Sequence, residues 1–165
     1  MHTKIYFYSH TFGKYKCFSN FFPSKFIVSD IIFNCSEQYF MYKKCLTFDP
    51  DNIQLLKNIL NETNPNKIKQ YGRLVENYDD LMWSNLRYNV MKEGLYNKFN
   101  QNLHLKKILL ETENNHIYEA SENDKIWGIG MNENNAKNVD PIFYKGTNLL
   151  GKALEEVREM LKEKI

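Results

Sequence analysis

The stretch Ser36-Glu37-Gln38-Tyr39-Phe40-Met41-Tyr42-Lys43-Lys44-Cys45 constrains the fold of this chain more than any other. Ser36 predicts an N-cap and Glu37 falls in the first turn, where the helix dipole favours a negative charge, so a short helix opens here. At helical spacing Glu37, Phe40, Met41 and Lys44 share one face, the i, i+3, i+4, i+7 stripe that normally meets a core. An acid and a base therefore bracket two apolar residues, and both charges are aimed inward. A charge held on a dry face is costly unless it is paired or used. The alternative is an ordinary solvated pair on a slightly rotated stripe.

The rest of the chain is arranged before and after that helix. Residues 4–8 are rich in β-formers and predict a first strand. Residues 9–17 are polar and contain Gly13, which predicts an exposed loop. Phe18 to Pro23 is an aromatic turn whose internal Asn20 needs partners if buried, in the backbone or in a ligand. Phe26-Ile27-Val28 and Ile31-Ile32-Phe33 flank Ser29-Asp30, a two-residue hairpin connection that delivers the chain to Ser36. Asp49-Pro50-Asp51 predicts the cap of a helix carrying Ile53, Leu56, Ile59 and Leu60. Thr63-Asn64-Pro65 starts another helix, which ends at Gly72.

Residues 79–99 carry the strongest helical period, in Met82, Trp83, Leu86, Val90, Leu95 and Phe99. Arg87 follows Trp83 by one turn, either as a surface ion pair or as a ligand contact. A further helix is predicted over 103–112 and a strand over 116–121. Gly128 and Gly130 do not form a dinucleotide fingerprint, because the third Gly is missing and no helix pattern follows at once. They offer close backbone approach beside Asp124 and Trp127. Residues 131–145 are Asn-rich and read as a loop or flap. Residues 146–151 open a last helix packed through Leu150, Leu154, Val157 and Leu161. The expectation is one α+β domain over 1–165, mostly helical, with a small antiparallel sheet made by the N-terminal strands and 116–121.

Charge and composition exclude several classes. A formal net charge of +2 gives no electrostatic case for non-specific nucleic-acid binding. Only Arg73, Arg87 and Arg158 among the 22 basic residues are arginines, and the guanidinium fork suits phosphate or carboxylate better than Lys does. Cys17, Cys35 and Cys45 are odd in number and lack CxxC spacing, which points to a reducing cytosol. His2, His10, His104 and His116 are scattered singly, so no metal or other cofactor is expected. There is no signal-peptide pattern, and no apolar run approaches the ~20 residues of a membrane span.

Glu37, Lys44, Asp124, Arg87, Asn20, Trp83 and Trp127 make a candidate small-molecule site. Aromatic faces can sandwich a flat base, and Asn can read its edge. Carboxylates can do acid–base work, and a Lys kept dry loses basicity and becomes a nucleophile for carbonyl carbon. With no P-loop and no metal-ligand spacing, this set points to cleavage of a sugar–nitrogen bond rather than to phosphoryl transfer.

Several of these segments, in order, resemble the NADAR family of YbiA-like proteins. Phe18-Ser19-Asn20-Phe21-Phe22-Pro23 matches the family's F-S-N-F-Y/F-P. Residues 37–44 match E-H/Q-Y-F/Y-Q/M-x-x-K, and Trp83, Arg87 and Met91 match W-x-x-x-R-x-x-x-M. Gly72-Arg73, Phe99 to Asn102 (F-x-Q-N), Leu109 to Thr112 (L-L-x-T), Asp124 to Gly130 (D-x-x-W-G-x-G) and Val157-Arg158 continue the likeness.

The resemblance implies N-glycoside hydrolysis, on ribosylaminopyrimidine phosphates of riboflavin synthesis or on ADP-ribose attached to a nucleobase. Glu37, Lys44 and Asp124 would be catalytic, with Phe18, Asn20, Trp83, Arg87, Trp127, Gly128 and Asn148 around the substrate. The implied partner is a phosphorylated ribosyl or ADP-ribosyl small molecule, with nucleic acid entering only as a modified substrate. A binding module that holds ADP-ribose without cleaving it, and a purely structural protein, stay open. Gln38, where His is common, and Tyr42 and Lys43, where small or neutral residues are common, depart from the family. They flank the reactive face and bear on substrate subtype.

Overall fold

Ser29 and Asp30 both take left-handed backbone, with φ of 50° and 65°. Two such residues in succession match the right-handed twist of flanking strands, so the turn closes a tight antiparallel hairpin. Its strands are β2 (Phe26–Val28) and β3 (Ile31–Phe33), paired Phe26 to Phe33 and Val28 to Ile31. The computed structural model describes residues 3–164; Met1, His2 and Ile165 lie outside it. The chain forms two compact units, Asn20–Asn102 and Met1–Ser19 with Leu103–Ile165.

The central unit carries the hairpin and four helices: α1 (Ser36–Phe48), α2 (Ile53–Asn61), α3 (Pro65–Gly72) and α4 (Asp80–Gln101). Phe26, Phe33 and Tyr39 form one core cluster, with Tyr42, Leu60 and Val90 packed around it. The Phe33 and Tyr39 rings meet edge to face at 5.1 Å. Caps explain where the helices begin. Asn64 accepts from Asn66 N–H ahead of Pro65, and Asp79 accepts from Met82 N–H. The predicted cap at Asp49-Pro50-Asp51 is corrected, because Asn52 is the N-cap of α2 and its side chain accepts from Leu55 N–H. Ser36 is likewise not the cap of α1: Cys35 holds that position, and Ser36 begins the helix. On α4, Trp83, Met91, Leu95 and Phe99 are buried, whereas Met82 and Leu86 of the predicted stripe are exposed.

In the other unit β1 (Ile5–Phe7) pairs with β4 (Ile117–Glu119), Ile5 opposite Ile117. This pair is parallel, so 116–121 does not extend an antiparallel sheet. A connection of more than a hundred residues separates the two strands, and a parallel pair needs only a long connection. Helices α5 (Leu103–Leu110) and α7 (Leu149–Lys162) complete the layer. The 131–145 stretch is not wholly loop, since it contains α6 (Glu133–Ala136) and a 3-10 turn over Pro141–Phe143. Arg158 is buried and structural: its Nη1 donates to Thr112 Oγ1 at 2.9 Å and to the Asn115 carbonyl at 2.8 Å. The molecule is α+β and mostly helical, with the β2–β3 hairpin as its small antiparallel sheet. No helix among the described residues is long and apolar enough to cross a membrane.

Candidate functional site

Asn20 builds the entrance to α1. Its carbonyl accepts from Glu37 N–H at 3.0 Å, and its side-chain oxygen accepts from the Ser36 hydroxyl at 2.9 Å. The Asn among phenylalanines thus ties down the first turn of the helix that carries Glu37. Glu37 itself is buried, 8% exposed, so the inward reading of the stripe holds at this end.

Lys44, two turns on, is half-buried. Its Nζ donates to the Gly72 carbonyl at 2.9 Å and lies 4.7 Å from the centroid of the Tyr78 ring. Burial lowers its pKa; the Glu37 charge opposes that shift and the Arg73 charge adds to it. Gly72 leaves room here for the Met41 side chain. A Cβ on it would run into the Met41 sulfur, so a larger residue there would displace the Met41 side chain where the end of α3 offers Lys44 its carbonyl.

The wall beside Lys44 is aromatic. Trp83 of α4 packs on Phe40 at 5.2 Å and on Phe48 at 5.8 Å, and Phe48 meets Tyr78 at 5.3 Å. Tyr78 donates to Asp80 Oδ1 at 2.8 Å. Its hydroxyl is held protonated to higher pH, by burial first and then by Asp80, while Arg87 pulls the other way. The Nε of Arg87 is buried and has no hydrogen-bond partner within the protein. A guanidinium N–H left so is an open donor for an anion.

The predicted site residues divide between the units. Asn20, Glu37, Lys44, Trp83 and Arg87 belong to Asn20–Asn102, whereas Phe18, Asp124, Trp127, Gly128 and Asn148 belong to the other. Each of the second set has local work. Phe18 is fully buried, edge-on to Phe7 at 5.8 Å and stacked on Tyr15 at 5.2 Å. Asp124 Oδ1 accepts from Ile126 and Trp127 N–H at 3.0 and 2.8 Å, an Asx turn that orders the loop. Gly128 is crowded by its own chain, because a Cβ there would lie 2.9 Å from the Asp124 carbonyl. Asn148 accepts from Glu119 N–H at 3.0 Å and donates to the Ile117 carbonyl at 2.8 Å, pinning β4 to the start of α7. This unit also holds a cleft of about 590 Å³, lined by Tyr6, Tyr8, Phe12, Tyr15, Lys14 and Lys137 among others, and it contains none of the predicted site residues.

Two departures from the family pattern are structural. Gln38 is fully buried, accepts from Asn34 N–H at 2.8 Å and donates to the Ile59 carbonyl at 2.9 Å. Tyr42 packs on Phe33 at 5.5 Å. Both face the hairpin and α2 rather than the Glu37–Lys44 stripe, which corrects the expectation that they flank the reactive face. Sequence reasoning missed Tyr78, and it noted Arg73 without giving it a role. Arg73 was signalled by following the helix-ending Gly72; Tyr78, in a loop, had no periodic signal.

The NADAR domain model matches residues 6–162, so it runs through both units. N-glycosidase R617 of Acanthamoeba polyphaga mimivirus is 42% identical over 75% of this chain and 72% of its own. N-glycosidase YbiA of Shigella flexneri is 32% identical over 96% of this chain and 89% of its own. The solved structure of the E. coli protein YbiA superposes with a TM-score of 0.80 at 29% identity, covering 99% of this chain and 88% of that one. A longer relative, the riboflavin biosynthesis protein VVA0006 of Vibrio vulnificus, is 29% identical over 99% of this chain but only 40% of its own. The chain belongs to the NADAR family. R617 and YbiA are both named N-glycosidases, which supports N-glycosidase activity here.

Proposed function

We propose that this N-glycosidase hydrolyses the ribose–nitrogen bond of a ribosylaminopyrimidine phosphate, with Glu37 and Lys44 at the reacting carbon and Arg87 on the phosphate. The observation that carries the reading is Lys44. A half-buried amine of lowered pKa stands two turns from a buried carboxylate on one helix face. A ribosylamine opens to an imine at C1, which suits an amine catalyst. The Lys44 lone pair bonds to C1, the base leaves as its free amine with the proton that the Lys44 nitrogen gives up, and a Schiff base remains. Water hydrolyses it, freeing the sugar aldehyde and restoring Lys44. In the rival route Glu37 directs water to C1 without a covalent step.

Support for the substrate comes from the open Nε of Arg87 beside the Trp83 platform and from a relative named for riboflavin biosynthesis. A second guanidinium, Arg73, acts on Lys44, and two cations around one site favour a second substrate, ADP-ribose linked to guanine. Asp124 would orient the ribose hydroxyls or assist proton transfer and Asn148 would bind substrate, with residues 1–165 working as one domain. The unbridged thiols Cys17, Cys35 and Cys45 fit a cytosolic site of action.

Purified protein incubated with each substrate, with released sugar assayed, decides between them. Release from the aminopyrimidine is the expected result. Release only from ribosylated guanine transfers the reading to the second substrate, and tight binding of ADP-ribose without release makes the protein a binding module.

A further inference from the structure

Three charged side chains are buried among the described residues: Glu37, Lys98 and Arg158. Arg158 is accounted for by Thr112 and Asn115. Lys98 is fully enclosed, on the face of α4 that also buries Met91, Gly94 and Leu95. A buried ammonium is costly to hold unless an anion answers it.

The register of two helices locates that anion. Trp83 packs on Phe48, near the start of α4 and the end of α1. Further along, a Cβ on Gly94 would lie 2.6 Å from the Tyr39 ring, so α4 rests directly on α1 there. The helices are therefore antiparallel. One turn beyond Gly94 on α4 is Lys98, and one turn back from Tyr39 on α1 is Cys35. This brings the ammonium to the first turn of α1, whose dipole repels a cation. Something negative must offset it, and Glu37 is the buried acid of that turn.

The Cys35 thiol registers both charges. Burial chiefly raises its pKa to about 11, with the Gln38 backbone opposing; Glu37 raises it further and Lys98 lowers it. The other charges acting here are those of Lys44, which feels Glu37 and Arg73, and of the exposed Glu93 of α4, which acts on the Tyr39 hydroxyl. Glu62, at the end of α2, accepts from the N–H groups of Thr63 and Asn64.

We propose that Lys98 is a positioning residue for Glu37: its enclosed ammonium is the counter-charge that keeps Glu37 a carboxylate and fixes its direction at the head of α1. The inference rests on the catalytic reading of Glu37 and sharpens it. Glu37 then works as an acceptor, from a ribose hydroxyl or from the attacking water, and not as the proton donor to the leaving base. Spacing offered a signal, since Lys98 follows Met91 by i+7 and Leu95 by i+3.

The first test needs no substrate. Carbon-13 carboxyl NMR of wild-type protein, with the Glu37 resonance assigned by its loss in Glu37→Gln, should give a midpoint below the ordinary glutamate value of about 4.3. A midpoint at or above that value overturns the proposal. The second test is the pH profile of kcat in Lys98→Met and Lys98→Arg. The acidic limb should move up by roughly 1–3 pH units in Lys98→Met and return toward wild type in Lys98→Arg. A folded Lys98→Met with an unmoved limb overturns the proposal, and if that variant does not fold, the wild-type titration decides. If no N-glycoside is turned over at all, the reading of the activity fails, while the carboxyl titration still tests Lys98.

Discussion

The ammonium of Lys44 lies 4.7 Å from the centre of the Tyr78 ring while it donates to the Gly72 carbonyl at 2.9 Å. Both contacts favour the charged amine, and burial opposes them strongly enough to leave its pKa below 10.5. The amine is thus held in place by groups that favour its charge, in surroundings whose burial works against it.

Catalysis should follow from that balance. With the free amine as the proposed nucleophile, turnover should rise with pH along a Lys44 limb below 10.5, separate from and above the acidic limb set by Glu37. Because the folded pKa is the lower one, the folded state binds fewer protons, and Lys44's contribution to stability grows with pH between its lowered pKa and 10.5. Borohydride added during turnover should trap a sugar adduct on Lys44. Lys44→Arg should abolish that adduct, and Lys43→Arg should keep it. An active Lys44→Arg that yields no adduct would transfer the chemistry to Glu37 and water.

Arg87→Ala should act on binding. A charge-assisted hydrogen bond to phosphate is worth about 1.5–3 kcal/mol, so KM should rise roughly 10- to 100-fold with little change in kcat. Steady-state kinetics with phosphorylated and dephosphorylated substrate check this, because the dephosphorylated one should be indifferent to the substitution. An unchanged KM for the phosphorylated substrate removes the role.

Cys35 should be inert. Its thiol is buried and its pKa is pushed up to about 11, chiefly by burial. Iodoacetamide at neutral pH should label it only after unfolding, as read by mass spectrometry. With the folded pKa raised, its contribution to stability is complete below 9.0 and is lost as pH rises through about 11. Cys35→Ala should flatten that alkaline loss in urea titrations.

Asn148→Ala should cost stability. Asn148 has φ of 51°, a conformation Asn tolerates better than Ala, and its amide satisfies both Glu119 N–H and the Ile117 carbonyl. Stranding the buried Ile117 carbonyl and the part-buried Glu119 N–H should cost about 2–4 kcal/mol in urea unfolding. A loss below about 0.5 kcal/mol would show that the two bonds do not hold β4 to α7.

The helices around the site were legible because their signals are local. Thr63-Asn64-Pro65 starts α3 as read, the helical period over 79–99 is α4, and Ser29-Asp30 turns the hairpin. The Glu37–Lys44 stripe was likewise a matter of spacing along one helix. What went unread depends on other segments. Ser36 gave up capping to meet Asn20, sixteen positions away. Met82 and Leu86 share the period of Trp83 yet stay exposed, since periodicity marks a face without saying how much of it a neighbour covers. Strand β4 looked ready for an antiparallel neighbour, but its backbone bonds go to β1 in parallel.

By itself the sequence determined the element types, the order of the family motifs, and the pairing of an acid and an amine on one helical face. Local hydrogen bonds, dipoles and side-chain period reach only a few residues, and that much they can encode. Only the tertiary structure decided what those groups meet. Gly72 supplies the carbonyl that holds Lys44, Tyr78 lies under its charge, and α4 rests on α1 at Gly94 with Lys98 enclosed one turn further on. Burial and the choice of partner set the charge state of an acid or an amine, and both are properties of packing between distant segments.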